Sequence, residues 1–193
     1  MKMKQDDAAM TVRNYSDYDK HGRKQAVLLT MSGLFAAMIT VMTAYICHIP
    51  DGINGGYIHF GDALIYICAA LLPQPYALAA AAIGGGLADL LTAPMWVPAT
   101  IIIKILITLP FTSRKEKLLC TRNIVAVFVA FAISGLGYYF AESLIFGSYT
   151  AFIASITGNA VQSGGSAAIF FVLAAALDRM HLKIRTDQMI YRS

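Results

Sequence analysis

Four ionisable side chains stand inside long apolar runs of the sequence: Asp62, Asp89, Lys104 and Glu142. At a helix centre in lipid each would cost about 2.5–3.5 kcal/mol, so they must face one another, water or a bound molecule. Their neighbours carry matching chemistry. Tyr138 and Tyr139 precede Glu142 by four and three residues, hence on one helical face. Ser155, Asn159, Gln162, Ser163 and Ser166 recur at intervals of about three to four, a polar stripe in an apolar run, and Trp96, Thr100 and Lys104 recur every fourth residue. Carboxylates and amides can pair with the N–H and C=O groups of a flat ring, and aromatic side chains can stack on it. The candidate cavity residues are therefore Trp96, Thr100, Lys104, Tyr138, Tyr139, Glu142, Asn159, Gln162 and Ser163. The plainer use of such residues is to join membrane helices by hydrogen bonds worth about 0.6–2 kcal/mol, with Lys104 pairing to Asp89 or Glu142. Asp89, which follows Gly84, Gly85 and Gly86, reads as structural. The convergence of three such faces favours a ligand cavity for the set as a whole.

These side chains need helices to position them, and the composition says which kind. The chain has 193 residues, 58% hydrophobic and 13% charged, with a mean hydropathy of +0.61. Soluble domains carry roughly a quarter charged residues, and here the apolar residues lie in blocks. Such a chain is an all-α integral membrane protein, which excludes a disordered polymer, a disulfide scaffold and a nucleic-acid binder. Cys47, Cys68 and Cys120 are scattered and form no C-x-x-C pair, so no zinc site or disulfide framework is signalled and no metal is expected.

Residues 1–24 read as a charged, disordered tail, 25–178 as the membrane domain and 179–193 as a basic C-terminal tail. The run Gln25 to Cys47 is longer than the apolar centre of a signal peptide and reads as a retained helix. Further segments run Phe60 to Leu72, Tyr76 to Leu91, Trp96 to Phe111, Ile124 to Phe146 and Thr150 to Leu177, separated by proline, glycine and charged residues. Segments two to four are short for a roughly 30 Å hydrocarbon layer and should line a cavity or lean on longer helices. Six transmembrane helices with both termini cytoplasmic place fourteen of the fifteen Lys and Arg on the inner side and none in the outer loops. In that topology Asp62, Asp89 and Glu142 fall in the outer half, with Lys104 near the middle and His48, Asp51 and His59 in the first outer loop.

The run Gly56-Tyr57-Ile58-His59-Phe60-Gly61-Asp62-Ala63, then Ala88-Asp89-Leu90-Leu91, Trp96-x-Pro98-Ala99-Thr100 and Ile103-Lys104, resembles the substrate-binding S component of energy-coupling factor (ECF) vitamin transporters. Tyr138-Tyr139 with Glu142, and Gly158-Asn159-x-x-Gln162, are similar to its riboflavin-type subgroup. The resemblance covers about Ala26 to Leu177. Pro73-Gln74-Pro75 and Ala93-Pro94 depart from the glycine-containing turns expected there.

The resemblance implies a six-helix S-component bundle in the bacterial cell membrane that captures a micronutrient from outside. It implies an EcfT-type transmembrane subunit and two cytoplasmic ATPases as partners. ATP is used by those ATPases, and no cofactor is bound by this chain. Gly33 and Ala37 match the docking face toward EcfT, the loop after the first helix is a lid with His48, Asp51, Tyr57, His59 and Asp62 orienting it, and helices four to six supply the pocket. From the pocket residues the cargo is a planar nitrogen heterocycle, neutral or cationic, of the queuosine-precursor, pyridoxine or hydroxymethylpyrimidine type. An anionic cargo fits worse, because Lys104 would be the one cation facing it.

No P-loop, H-E-x-x-H or G-x-S-x-G motif occurs, so neither direct ATP use nor the common hydrolase chemistries are expected, and no residue is assigned a catalytic role. The competing reading is a self-sufficient ion-coupled carrier or channel in which Asp62, Asp89, Lys104 and Glu142 form a relay. An intramembrane enzyme using Glu142 with His48 or His59 lacks a nucleophile or metal set.

Overall fold

Between Lys2 and Ala44 the chain has no proline, and it forms a single helix of 43 residues, α1 (Lys2–Ala44). The computed structural model describes residues 2–46, 49–50, 57–147 and 152–191, with side chains described for 21–46, 59–147 and 157–191. At about 1.5 Å per residue, α1 is roughly twice as long as a 30 Å hydrocarbon layer is thick. Its apolar part is His21–Ala44. Residues 2–20, expected as a tail without structure, continue this helix. Once a span has nucleated a helix, each added residue costs little unless a breaker intervenes.

Proline and glycine punctuate the rest. Strands β1 (Ile49–Pro50) and β2 (Tyr57–Ile58) pair antiparallel, Ile49 with Ile58 and Pro50 with Tyr57, a small addition to an otherwise helical fold. α2 (Gly61–Leu71) ends before Pro73, and α3 (Gln74–Thr92) takes Pro75 in its first turn, where its missing N–H costs nothing. A 3-10 turn, Pro94–Trp96, leads into α4 (Val97–Thr108). Trp96 therefore precedes the α-helix proper, yet its near-helical backbone keeps it in phase with Thr100 and Lys104. α5 (Thr121–Phe146) stops at Gly147, whose φ of 63° closes the helix in the left-handed conformation. α6 (Phe152–Arg179) turns at His181 into α7 (Leu182–Tyr191).

Four stretches among the described residues are long and apolar enough to cross a membrane: His21–Ala44, Gln74–Thr92, Thr121–Phe146 and Thr157–Arg179. Gly61–Leu71 and Pro94–Thr108 are shorter apolar helices. The short α2 is the centre of the molecule. Every one of its residues except Leu64 is buried, as suits a helix apolar on all sides. Around it runs an arc of neighbours, α1 on α3, α3 on α4, α4 on α5 and α5 on α6, and α7 touches both ends of the arc at α1 and α6. α1 and α3 approach most closely at Gly84, where a Cβ would come within 2.8 Å of the Ala36 carbonyl, and Thr40 Oγ1 donates to the Gly84 carbonyl at 3.0 Å. The outer faces of α1, α3, α4 and α5 expose large side chains such as Leu34, Leu90, Ile102, Phe128 and Leu144. In water so much apolar surface would drive aggregation; against lipid it costs nothing.

Two polar clamps order the far end of the bundle. Buried Asn123 donates from Nδ2 to the carbonyls of Thr112 and Leu118 and accepts the Thr112 N–H, while Asp178 accepts the N–H groups of Leu118 and Leu119. The charged loop between α4 and α5 is thereby pinned to α5 and α6. Residues 179–193, expected as a basic tail, instead include α7, with Lys183, Thr186 and Ile190 buried along one face. Lys183 Nζ donates to the Leu71 carbonyl at the end of α2 (3.1 Å) and to Asp187 (2.6 Å). The spacing of three and four among these buried residues is helical, and a count of charges alone passes over it.

Candidate functional site

The first turn of α2 brings Asp62 into the interior, and α4 brings Lys104 to meet it. Lys104 Nζ donates to Asp62 Oδ1 at 2.5 Å, with the two side chains 1% and 0% exposed. The partner expected for Lys104 was Asp89 or Glu142; because α2 is central and not peripheral, its first-turn carboxylate reaches the lysine first. That position also places a negative charge at a helix N-terminus, where it is favourable. Gly85 on α3 makes the room. A Cβ there would lie 2.8 Å from Lys104 Cγ, so the lysine stem lies directly on the α3 backbone.

Aromatic and amide groups surround the pair. The Tyr138 ring lies 5.5 Å from Lys104 Nζ, the Tyr138 hydroxyl is 3.2 Å from Thr100 Oγ1, and the Trp96 ring meets Tyr138 edge-on at 6.1 Å. Trp96 also contacts Phe146 at 6.0 Å. From α6, Gln162 Oε1 accepts the backbone N–H of His59, three residues before Asp62, at 3.4 Å. His59 is itself buried, its Nδ1 accepting the Gly61 N–H at 3.1 Å. Buried Asp89 on α3 is near enough for its charge to act on Lys104 and Tyr138.

Seven expected residues are thus linked in one cluster: Trp96, Thr100, Lys104, Tyr138, Gln162 and, from the group expected to orient the lid, His59 and Asp62. Glu142 is buried one turn beyond Tyr138, and Ser163 is buried beside Gln162 on α6. Asn159 and Tyr139 are half-buried, and the Tyr139 ring lies against Phe140 at 5.5 Å. His48 and Asp51 lie outside the described residues, and Tyr57 enters only through the backbone of β2. Gly33 and Ala37 are exposed on α1, and a Cβ on Gly33 would meet nothing within 4 Å.

Ser134 and Phe146 were not singled out from sequence. With Tyr138 and Glu142 they form a series spaced by four, so the periodicity that picked out the middle pair extends to both. Four donors in this region are buried without a partner among the described residues: Trp96 Nε1 and the hydroxyls of Ser134, Ser163 and Ser166. Each unpaired buried donor costs about 1–3 kcal/mol, so a guest that accepts hydrogen bonds there would recover that cost.

The family model described as "ECF-type riboflavin transporter, S component" matches residues 24–179. The chain belongs to this family. As an ECF S component it is a multi-pass membrane protein and the substrate-binding subunit of a transporter. The matched span of the S-component family takes in α2 to α6 and the apolar part of α1, hence every residue of the cluster. No match emerged from a comparison with curated proteins.

Proposed function

We propose that this S component captures a neutral or cationic planar nitrogen heterocycle from the outer side of the membrane and hands it to an EcfT-type subunit driven by two cytoplasmic ATPases. The observation that supports this reading is the cluster itself: Trp96 and Tyr138 as ring-stacking groups, with buried donors at Trp96 and Ser163 beside the carboxylate of Glu142 and the amide of Gln162. Asp62 neutralises Lys104, so no uncompensated cation remains to favour an anionic cargo. The family's name points to riboflavin, whose ring system is itself a planar nitrogen heterocycle; deazapurines of the queuosine-precursor type, pyridoxine and hydroxymethylpyrimidine share that chemistry.

The charge pattern supports six crossings with both termini inside, which sets the cluster toward the outer half and the α4–α5 loop and α7 at the cytoplasmic face. α2 crosses as a short element wholly enclosed by the others. In this reading β1 and β2 tie the lid over the site, and Gly33 and Ala37 present α1 to EcfT.

Mass spectrometry of the small molecule that co-purifies with the chain, followed by calorimetry with riboflavin, pyridoxine, hydroxymethylpyrimidine and a deazapurine, tests the cargo. Tight binding of one neutral or cationic heterocycle is expected. Binding of a phosphorylated or carboxylated compound in its place would overturn the cargo class. Uptake into liposomes that follows a proton gradient without any ATPase would overturn the S-component mechanism in favour of a carrier.

A further inference from the structure

A cavity of about 730 Å3 opens at the end of the bundle away from the cluster, between the α2–α3 turn, the α4–α5 loop and α7. Its inner wall is apolar, with Ala69 and Phe111, and its mouth carries Gln74, Ser113, Arg114 and Arg122. The two arginines are exposed side chains, and among the described residues the ion pairs are Lys104–Asp62 and Lys183–Asp187, so neither guanidinium is matched by a carboxylate. Arg122 Nε donates to the Pro110 carbonyl at 3.1 Å, which fixes that guanidinium at the mouth. Asp187 also lines the cleft, yet its charge is met by Lys183 at 2.6 Å. A third cation stands at the rim, for Lys24 Nζ lies 4.3 Å from the ring of Tyr191, another lining residue.

We infer that this cleft binds the phosphate of an anionic phospholipid headgroup. Paired guanidinium groups match phosphate oxygens in charge and geometry. A lipid is favoured over a soluble phosphate by what borders the mouth: Gln74 Nε2 donates to the carbonyl of Leu109, and Leu109 and Leu106 are large apolar side chains exposed on the outer face of α4. A headgroup seated at Arg114 and Arg122 can leave its acyl chains on that face. The assignment to the inner leaflet rests on the orientation proposed above, and basic pockets between helices on the cytoplasmic side suit such headgroups. The headgroup would bridge three segments, the α2–α3 turn, the α4–α5 loop and α7.

Native mass spectrometry of the purified chain with equal amounts of phosphatidylglycerol and phosphatidylcholine tests this directly. The wild-type chain should retain phosphatidylglycerol in preference by roughly twenty-five-fold, about fivefold for each guanidinium. Arg114→Gln with Arg122→Gln should bring the ratio near one, while Arg179→Gln with Arg185→Gln, outside the cleft, should leave it unchanged. Because the Arg114 side chain has no partner among the described residues, Arg114→Gln alone should lose about fivefold without touching the fold. Equal retention of the two lipids, or an equal loss in both double variants, would overturn the site. Inorganic phosphate that binds without lipid and with the same arginine dependence, measured by calorimetry, would overturn the lipid assignment in favour of a soluble phosphate. Cargo affinity, measured in parallel, is expected to be unchanged in the cleft variants, so failure here and failure of the cargo reading remain separate results.

Discussion

Two lysines are buried among the described residues, and both hold the same short helix. Lys104 meets α2 at its first turn through Asp62, and Lys183 meets it at the other end through the Leu71 carbonyl. The signs agree with the helix dipole: a carboxylate stands at the N-terminus and an ammonium at the C-terminus. The environments differ. The Lys104 pair joins residues 42 apart and is closed to solvent on both sides, whereas Asp187, the partner of Lys183, is four residues away and 38% exposed. A sealed pair in the proposed cargo cluster and a half-open one at the opposite end teach that a buried lysine can serve two ends here: one joins α4 to the first turn of α2, the other fastens α7 to the bundle.

The sharpest way to break the comparison is to remove one charge from each pair. Lys104→Met or Asp62→Asn should destabilise the chain by about 3–5 kcal/mol, since each leaves an uncompensated charge in a sealed interior. Making both changes together should restore most of that loss, because two neutral groups no longer need each other. Thermal unfolding in detergent measures this, and a double variant no more stable than the singles would mean that the pair is not the cause.

Lys183→Met should cost less, about 1.5–3 kcal/mol, the range for hydrogen bonds to a charged group. Asp187 can turn to water when its partner is lost. The loss should appear as faster proteolysis within 182–191, with cargo affinity unchanged. A drop in cargo affinity would show that both ends of α2 serve the site.

How far these differences could be read from sequence follows from the same two lysines. Asp62 and Lys104 were legible as residues too costly to leave against lipid, but their pairing was not, because nothing local says that α2 lies at the centre. A helix of eleven residues announces only that it is shorter than the hydrocarbon layer is thick and must lean on its neighbours. Lys183 and Asp187 are the reverse case. Their spacing of four is local and readable, yet they stand among the basic residues that mark the inner side, and charge counting hid the buried stripe of Lys183, Thr186 and Ile190. The aromatic and amide faces of α4, α5 and α6 were legible through periodicity alone, and of these residues Trp96, Thr100 and Tyr138 touch one another. Partners across elements, such as Gln162 with the His59 N–H, depend on the packing.

On the sealed side, cargo recognition should separate from stability. Glu142→Gln or Tyr138→Phe should weaken cargo binding by about 1–3 kcal/mol, the cost of an unpaired buried partner, with little change in unfolding temperature. Calorimetry decides it: unchanged affinity in both would place the cargo elsewhere. If Tyr138→Phe acts only on stability, the Thr100 contact is helix glue and the cavity lies nearer Glu142.

The smallest effect on the chain itself is expected where small residues face outward. Gly84 and Gly85 are pressed against α1 and Lys104, whereas Gly33 and Ala37 lie on an exposed face of α1. Gly33→Leu or Ala37→Leu should therefore change stability by no more than about 0.5 kcal/mol, as for surface sites in general. A Cβ on Gly33 meets nothing within 4 Å and Ala37 is exposed, so cargo affinity should hold as well. Uptake by the complete transporter should nevertheless fall away, because added bulk on a face meant for close helix contact keeps the partner at a distance. Uptake that survives both changes would move the docking face off this part of α1.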